Sequence, residues 1–276
     1  MTEFRFPSSG GGALVMGIIN LSPDSFYGDS HCSTLEQALA TANRMVQEGA
    51  DFLDIGAESS RPGSNPLDER EELKRLLPVV EKLVESIHIP ISVDTYKPRV
   101  AQAVLQAGAA IINDITGLQR FPEMAGIIAQ FNAGVILMHM QGNPKTMQDN
   151  PGYADLLTEV SEYLSKSINI ATEAKIDVHK IAIDPGIGFG KSDSHNLQIL
   201  KNLQCFTALG SPVLLGLSRK SLIGNILDVP VEERLEGSLS AAVFGVINGA
   251  SIIRTHDVLA TCRAVKVVES IMNIKG

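Results

Sequence analysis

IPISVDTYKPRVAQAVLQAGAAIIND, residues 89–114, is the stretch that decides the fold. It holds two short apolar runs, 89–93 and 110–112, separated by a segment, 97–106, whose apolar residues recur at spacings of three and four. Pro98 stands where the first turn of a helix tolerates proline, and Gly108 follows the helical pattern where a left-handed closing residue is expected. Both apolar runs are continuous rather than alternating, as suits parallel strands buried on both faces. The stretch reads as strand, helix, parallel strand.

The same unit repeats outward in both directions. Apolar runs at 13–19, 52–55, 134–138, 180–183, 212–215 and 251–253 bring the strand count to eight. Helical patterns at 34–48, 68–86, 155–174 and 231–248 lie between them, and Gly49 and Gly249 close their patterns as Gly108 does. Eight strand–helix units predict an α/β chain closed into a single (β/α)8 barrel, for which about 250 residues is the usual length. A doubly wound open sheet uses the same alternation, but the count of eight favours the barrel. One domain spanning 1–276, with a short N-terminal arm at 1–12, is expected.

Composition narrows the function. Of 276 residues 44% are hydrophobic and 20% charged, a globular profile able to bury a large core. No apolar run approaches the roughly 20 residues that cross a bilayer. The N-terminal MTEFRFPSSGGGALVMG lacks the basic start and long apolar stretch of a signal peptide. Three scattered cysteines, Cys32, Cys205 and Cys262, without a CxxC pair, suit a reducing cytoplasm. Six histidines show no metal-ligand spacing, and a net charge of −8 argues against a nucleic-acid partner. A cytoplasmic enzyme acting on small molecules is the expectation.

Polar residues follow every apolar run. They include Asn20, the loop GAESSRPGSNP at 56–66, Asp94–Thr95, Asn113–Asp114, Met138–His139, Asp184, Gly216 followed by Ser218–Arg219–Lys220–Ser221, and Arg254 with His256–Asp257. In a parallel barrel these ends share one rim, where active sites of this architecture are built. An Asp or Asn after a strand often only caps a helix, and that reading is preferred for Asp114 and Asp257. Met138 suits the core as well as a contact. Caps, however, do not call for Arg, Lys and His. Arg61, Arg219, Lys220, Arg254 and His256 predict an anionic ligand, while Asp94, Asn113 and Asp184 suit a heterocycle rich in N–H and C=O groups. Ser218 is expected to cap the helix after the seventh strand, with Arg219, Lys220 and Ser221 in its first turn. The segment PGIGFGKS at 185–192 nearly matches a phosphate-binding P-loop, but Pro185 replaces the first glycine and the segment follows the sixth strand. Its glycines are read instead as allowing close approach of backbone to a ligand, with Phe189 as an apolar wall.

Eight motifs together resemble the dihydropteroate synthases: MGIINLSPDSF (16–26), DIGAESSRPGS (54–64), ISVDTYKP (91–98), IINDI (111–115), LMHMQGNPKTMQ (137–148), DPGIGFGK (184–191), GLSRKS (216–221) and IIRTHD (252–257). They occur in the family's order, and the resemblance spans 15–268. The resemblance implies a TIM barrel that joins 6-hydroxymethyl-7,8-dihydropterin pyrophosphate to 4-aminobenzoate. It implies Asp94, Asn113, Met138, Asp184, Gly216 and Lys220 around the pterin, and Asn20, Ser60, Arg61, Arg254 and His256 around the pyrophosphate. Phe26, Pro62, Phe189, Lys220 and Ser221 would shape the 4-aminobenzoate subsite, where sulfonamides also bind in the family. Asp94, Lys220, Asn20 and Arg254 would be catalytic, Asn20 would ligate Mg²⁺, and a homodimer is expected. Ser60 stands where the family commonly has Thr, and the first loop reads DSFYGDSHC at 24–32. The rivals are a methyltetrahydrofolate-dependent methyltransferase, which has no use for the SRKS and RTH segments, and a non-catalytic pterin-binding barrel, which would not need Asn20, Lys220 and Arg254.

Overall fold

The computed structural model describes residues 4–6, 12–21, 32, 34–58 and 64–274. Eight strands close into one barrel in chain order, each parallel to its neighbours: β1 (Leu14–Asn20), β2 (Phe52–Gly56), β3 (Ile91–Asp94), β4 (Ile111–Asp114), β5 (Gly134–Met138), β6 (Ile181–Asp184), β7 (Val213–Gly216) and β8 (Ala250–Thr255). The expected helices are α1 (Leu35–Gln47), α2 (Glu69–Ser86), α3 (Pro98–Gln106), α5 (Leu156–Glu173) and α9 (Leu235–Ile247). Around them stand α4 (Glu123–Gln130), α6 (Asp193–Lys201), α7 (Gln204–Thr207), α8 (Ser221–Leu227) and α10 (Val258–Met272). The chain is a (β/α)8 TIM barrel, as expected.

Local chemistry starts the helices where they start. Thr34, Asp68 and Asp155 each accept a backbone N–H of the first turn through their side chains. Pro98 opens α3, and Gly49, Gly108 and Gly249 all turn through positive φ. No helix among the described residues is long and apolar enough to cross a membrane.

Strand parity then sorts the side chains. Leu53, Ile55, Val93, Ile112, Val135, Leu137, Ile181, Ile183, Leu215 and Ile253 join the apolar layer shared with the helices. Residues of the opposite parity, Met16, Phe52, Ile111, Ile136, Ala182, Leu214 and Ile252, form a separate core inside the barrel. Phe6 belongs to that core, and its N–H donates to the His179 carbonyl at 2.9 Å. The Phe4, Phe6 and Phe52 rings meet edge-on, with centroids 4.8 to 6.4 Å apart. Burying such rings contributes about 1.5–3 kcal/mol each. One end of the barrel is thus filled with hydrocarbon, and only the other is free for chemistry.

Candidate active site

Two residues further along the inward-facing rows, the apolar series gives way. Phe52 is followed by Asp54, Ile111 by Asn113, Ile136 by Met138, Ala182 by Asp184, Leu214 by Gly216 and Ile252 by Arg254. The strand register sets Asp54 beside Ser92, Asp94 beside Asn113, Met138 beside Asp184 and Gly216 beside Arg254. Barrel closure therefore brings these side chains to one mouth.

Asp54 organises its floor. This carboxylate is fully buried and accepts from Ser92 Oγ at 2.6 Å, Asn113 Nδ2 at 3.0 Å and Arg254 Nε at 2.7 Å. Arg254 also donates through Nη2 to Asp94 Oδ2 at 3.3 Å, so one guanidinium lies between two carboxylates. Burial disfavours the Arg254 cation, but Asp54 and Asp94 outweigh it and hold its pKa above the usual value. Asp94 is pushed up to about 8, first by burial and then by the charge of Asp54, against the pull of Arg254.

The second half of the mouth carries Asp184 and Lys220. Burial raises the Asp184 pKa, opposed by Lys220 and by the Gly186 N–H, which donates to Asp184 Oδ1 at 2.7 Å. Burial pushes Lys220 down to about 8, opposed by Asp184. Its Nζ donates to the Ile187 carbonyl at 2.5 Å and lies 4.8 Å from the Phe189 ring centroid. A Cβ on Gly216 would lie 3.8 Å from Lys220 Nζ and 3.9 Å from Arg254 Cβ, so both cations flank that bare backbone. Met138, Met140, Met147, Tyr96 and Ile115 form an apolar patch on which Phe189 packs. Asp94, Asn113, Asp184, Lys220 and Arg254 thus meet at one mouth of the barrel, beside an apolar wall. Ser221 opens α8 and is exposed beside Lys220.

Some sequence expectations are corrected. Arg219, read as a rim cation, is buried and pairs with Asp257 through two hydrogen bonds of 2.9 and 2.8 Å. It also donates to the carbonyls of Val231 and Glu232. The carboxylate of Asp257 is thereby drawn from the cap of α10 that it was expected to form. Ser218 does not cap α8: the helix begins at Ser221, after Arg219 turns through a left-handed φ of 54°. Ser218 Oγ instead accepts the His256 N–H at 3.1 Å and lies 3.0 Å from its ring Nδ1. Asp114 caps no helix either: α4 starts at Glu123 after Pro122, and the Asp114 carboxylate accepts the N–H groups of Thr116 and Leu118 within the turn that follows β4. Lys191 of the P-loop look-alike is buried against His139 rather than offered to a phosphate.

Asn20 ends β1 beside Gly56, and its side chain has no hydrogen-bond partner among the described residues. Phe26, Ser60, Arg61 and Pro62 lie outside the described residues. The stem leading to the last three is held by Glu58, which accepts from the Leu67 N–H and Tyr96 hydroxyl, both at 2.9 Å, and pairs with Lys97. Lys97 pairs also with Glu72, whose carboxylate accepts from Thr95 Oγ1 at 2.7 Å.

Asp54 escaped sequence reasoning because it sits inside the apolar run 52–55. The available signal was its parity with Phe52: a carboxylate on the inward face has to find donors.

Fold and mouth together define a class, a barrel enzyme holding a flat polar ring beside an anionic group. The family described as pterin binding enzyme matches residues 16–256. The chain is 43% identical to the dihydropteroate synthase of Bacillus subtilis over 95% of its own length and 90% of that protein's. It superposes on the Yersinia pestis dihydropteroate synthase, solved with a sulfonamide drug complex, with a TM-score of 0.92 at 42% identity, covering 98% of this chain and 100% of that one. The Xanthomonas albilineans dihydropteroate synthase with 4-aminobenzoic acid gives 0.89 at 41% identity, covering 99% and 100%. The chain belongs to the dihydropteroate synthases, transferases of folate synthesis. These similarities support neither the methyltransferase nor the non-catalytic barrel.

Proposed function

We propose that this chain condenses 6-hydroxymethyl-7,8-dihydropterin pyrophosphate with 4-aminobenzoate, giving 7,8-dihydropteroate and pyrophosphate. The observation that carries the reading is the single mouth in which Arg254 and Lys220 stand beside Asp94, Asn113 and Asp184. Asp94, Asn113, Asp184 and Lys220 hydrogen-bond the pterin, with Met138 and Gly216 shaping its slot. Asn20, Ser60, Arg61, Arg254 and His256 receive the pyrophosphate. Phe26, Pro62, Phe189, Lys220 and Ser221 bound the 4-aminobenzoate.

The route is SN1-like. The C–O bond to pyrophosphate breaks with its electron pair leaving on oxygen, where Arg254 offsets the developing charge. The remaining methylene cation is conjugated with the ring, and ionised Asp94 faces it. The arylamine nitrogen, held against Phe189 and Lys220, then forms the C–N bond and loses a proton to solvent. Placement contributes more here than basicity. Water has to be kept from the mouth at this stage, since it would otherwise trap the cation.

Mg²⁺ fits as an ion shared with the substrate. No group of three His, Cys, Asp or Glu side chains able to cage a metal occurs among the described residues. Asn20 supplies one amide oxygen at the mouth, and Mg²⁺ is commonly held by few protein ligands plus phosphate oxygens and water. When bound it would neutralise charge on the leaving pyrophosphate.

A homodimer is supported by exposed apolar side chains on the neighbouring α9 and α10, including Phe244, Ile247, Val267 and Ile271. A cytoplasmic location is supported by three unpaired cysteines. The test is to mix the protein with Mg²⁺, the pterin pyrophosphate and 4-aminobenzoate. Dihydropteroate and pyrophosphate should appear in equal amounts; folded protein releasing neither refutes the reading.

A further inference from the structure

The segment 185–191 after β6 is held backbone group by backbone group. The Gly186 carbonyl accepts from Phe189 N–H at 3.1 Å, and that of Ile187 from Lys220 Nζ. The carbonyl of Gly188 accepts from Gln148 Nε2 at 2.7 Å, that of Phe189 from Lys191 Nζ at 3.0 Å and that of Gly190 from Tyr153 hydroxyl at 2.7 Å. The segment also presses on the chain after β5. A Cβ on Gly186 would lie 1.9 Å from the His139 carbonyl oxygen, and one on Gly190 would lie 2.4 Å from that of Gln141. Both positions have positive φ, so glycine is needed for conformation and for space.

Lys191 stands at the centre of this contact. It is 2% exposed, and among the described residues no carboxylate pairs with its Nζ, which lies 2.7 Å from His139 Nδ1. His139 in turn donates its backbone N–H to the Asp184 carbonyl at 2.9 Å. A buried ammonium is costly and is retained where it meets acceptors that would otherwise be orphaned. Here those acceptors are the His139 ring nitrogen, just after β5, and the carbonyl of Phe189, whose ring faces Lys220.

We infer that Lys191 is a positioning residue: by holding the Phe189 carbonyl and His139 together, it sets the aromatic wall of the arylamine subsite against Lys220. Gln148, on the outer side of the same segment, acts in the same sense on the adjoining Gly188 carbonyl. The role stands on the assignment of Phe189 to the arylamine subsite made above, so the wild-type chain is assayed in parallel.

The experiment is steady-state kinetics of Lys191→Met and Gln148→Ala with both substrates, together with thermal midpoints. Lys191→Met should raise KM for 4-aminobenzoate roughly tenfold while kcat and KM for the pterin pyrophosphate stay within about twofold. Gln148 is exposed, so Gln148→Ala should fold normally and raise the arylamine KM by roughly threefold. Lys191→Arg, which keeps the donors, should recover part of the loss. An unchanged arylamine KM in folded Lys191→Met overturns the proposal, as do equal losses for both substrates, which mark a merely structural residue. If Lys191→Met does not fold, Gln148→Ala decides: an unchanged arylamine KM overturns the proposal and a raised one supports it. A wild-type chain that makes no dihydropteroate removes the underlying assignment instead.

Discussion

Asp54→Asn removes one negative charge from the floor of the mouth with little change of shape. Asp54 holds Arg254 at 2.7 Å, Asn113 at 3.0 Å and Ser92 at 2.6 Å. Breaking a buried ion pair by removing one partner costs about 3–5 kcal/mol. Arg254 is 20% exposed and keeps Asp94, so the low end applies. A loss of roughly 3 kcal/mol of unfolding free energy is therefore expected in chemical denaturation, and kcat/KM for the pterin pyrophosphate should fall by roughly tenfold or more as Arg254 and Asn113 lose the carboxylate that places them. A second consequence separates this from general damage. Asp54 is, after burial, the main reason that Asp94 is pushed up to about 8. The wild-type profile of kcat/KM against pH should be bell-shaped near 8, with an acid limb from ionisation of Asp94 and an alkaline limb from loss of the Lys220 proton. The two limbs belong to a coupled set of groups. Removing the Asp54 charge makes Asp94 easier to ionise, so the acid limb must move to lower pH while the alkaline limb stays. The assay is kcat/KM for the pterin substrate across the pH range. An unmoved acid limb, or a kcat/KM within about threefold of wild type, refutes the placement of Asp54 beneath Arg254 and Asp94.

Lys97→Met leaves Glu58 and the 1% exposed Glu72 carboxylate without their shared cation. It should cost about 3–5 kcal/mol, a thermal midpoint lowered by roughly 10 °C in calorimetry for a chain of this size; a midpoint within about 2 °C would contradict the buried network. Gly186→Ala drives a Cβ to 1.9 Å from a backbone oxygen at a φ of 70°, so a loss of about 3 kcal/mol or more is expected in chemical denaturation. Normal stability would mean that this turn is not as tight as described. Phe244→Glu places a charge on an apolar face that is 45% exposed at that residue. Sedimentation should show a dimer for the wild type and a folded monomer for the variant; a wild-type monomer refutes the dimer.

Much of this was written in the order of residues. Periodicity alone separates strands from helices here, because a buried parallel strand must be continuously apolar while a covering helix must be apolar on one face. Parity within each run then decides which residues face the barrel axis. Asp94, Asn113, Asp184 and Arg254 were legible because they end their runs, and the motifs around them point to the family. Partners were not legible. Asp54 and Arg254 are 200 residues apart, and only closure of β8 onto β1 brings the guanidinium between carboxylates from β2 and β3. The same limit explains Arg219, which reads as a free rim cation until Asp257 is seen to hold it 38 residues away. Lys191 likewise shows no partner in the sequence, and His139, 52 residues away, meets it only in the folded barrel. Charge and hydrogen-bonding capacity are properties of a residue, so sequence determines them. Which acceptor a donor meets depends on distances of a few ångströms between strands, and only the closed barrel decides those.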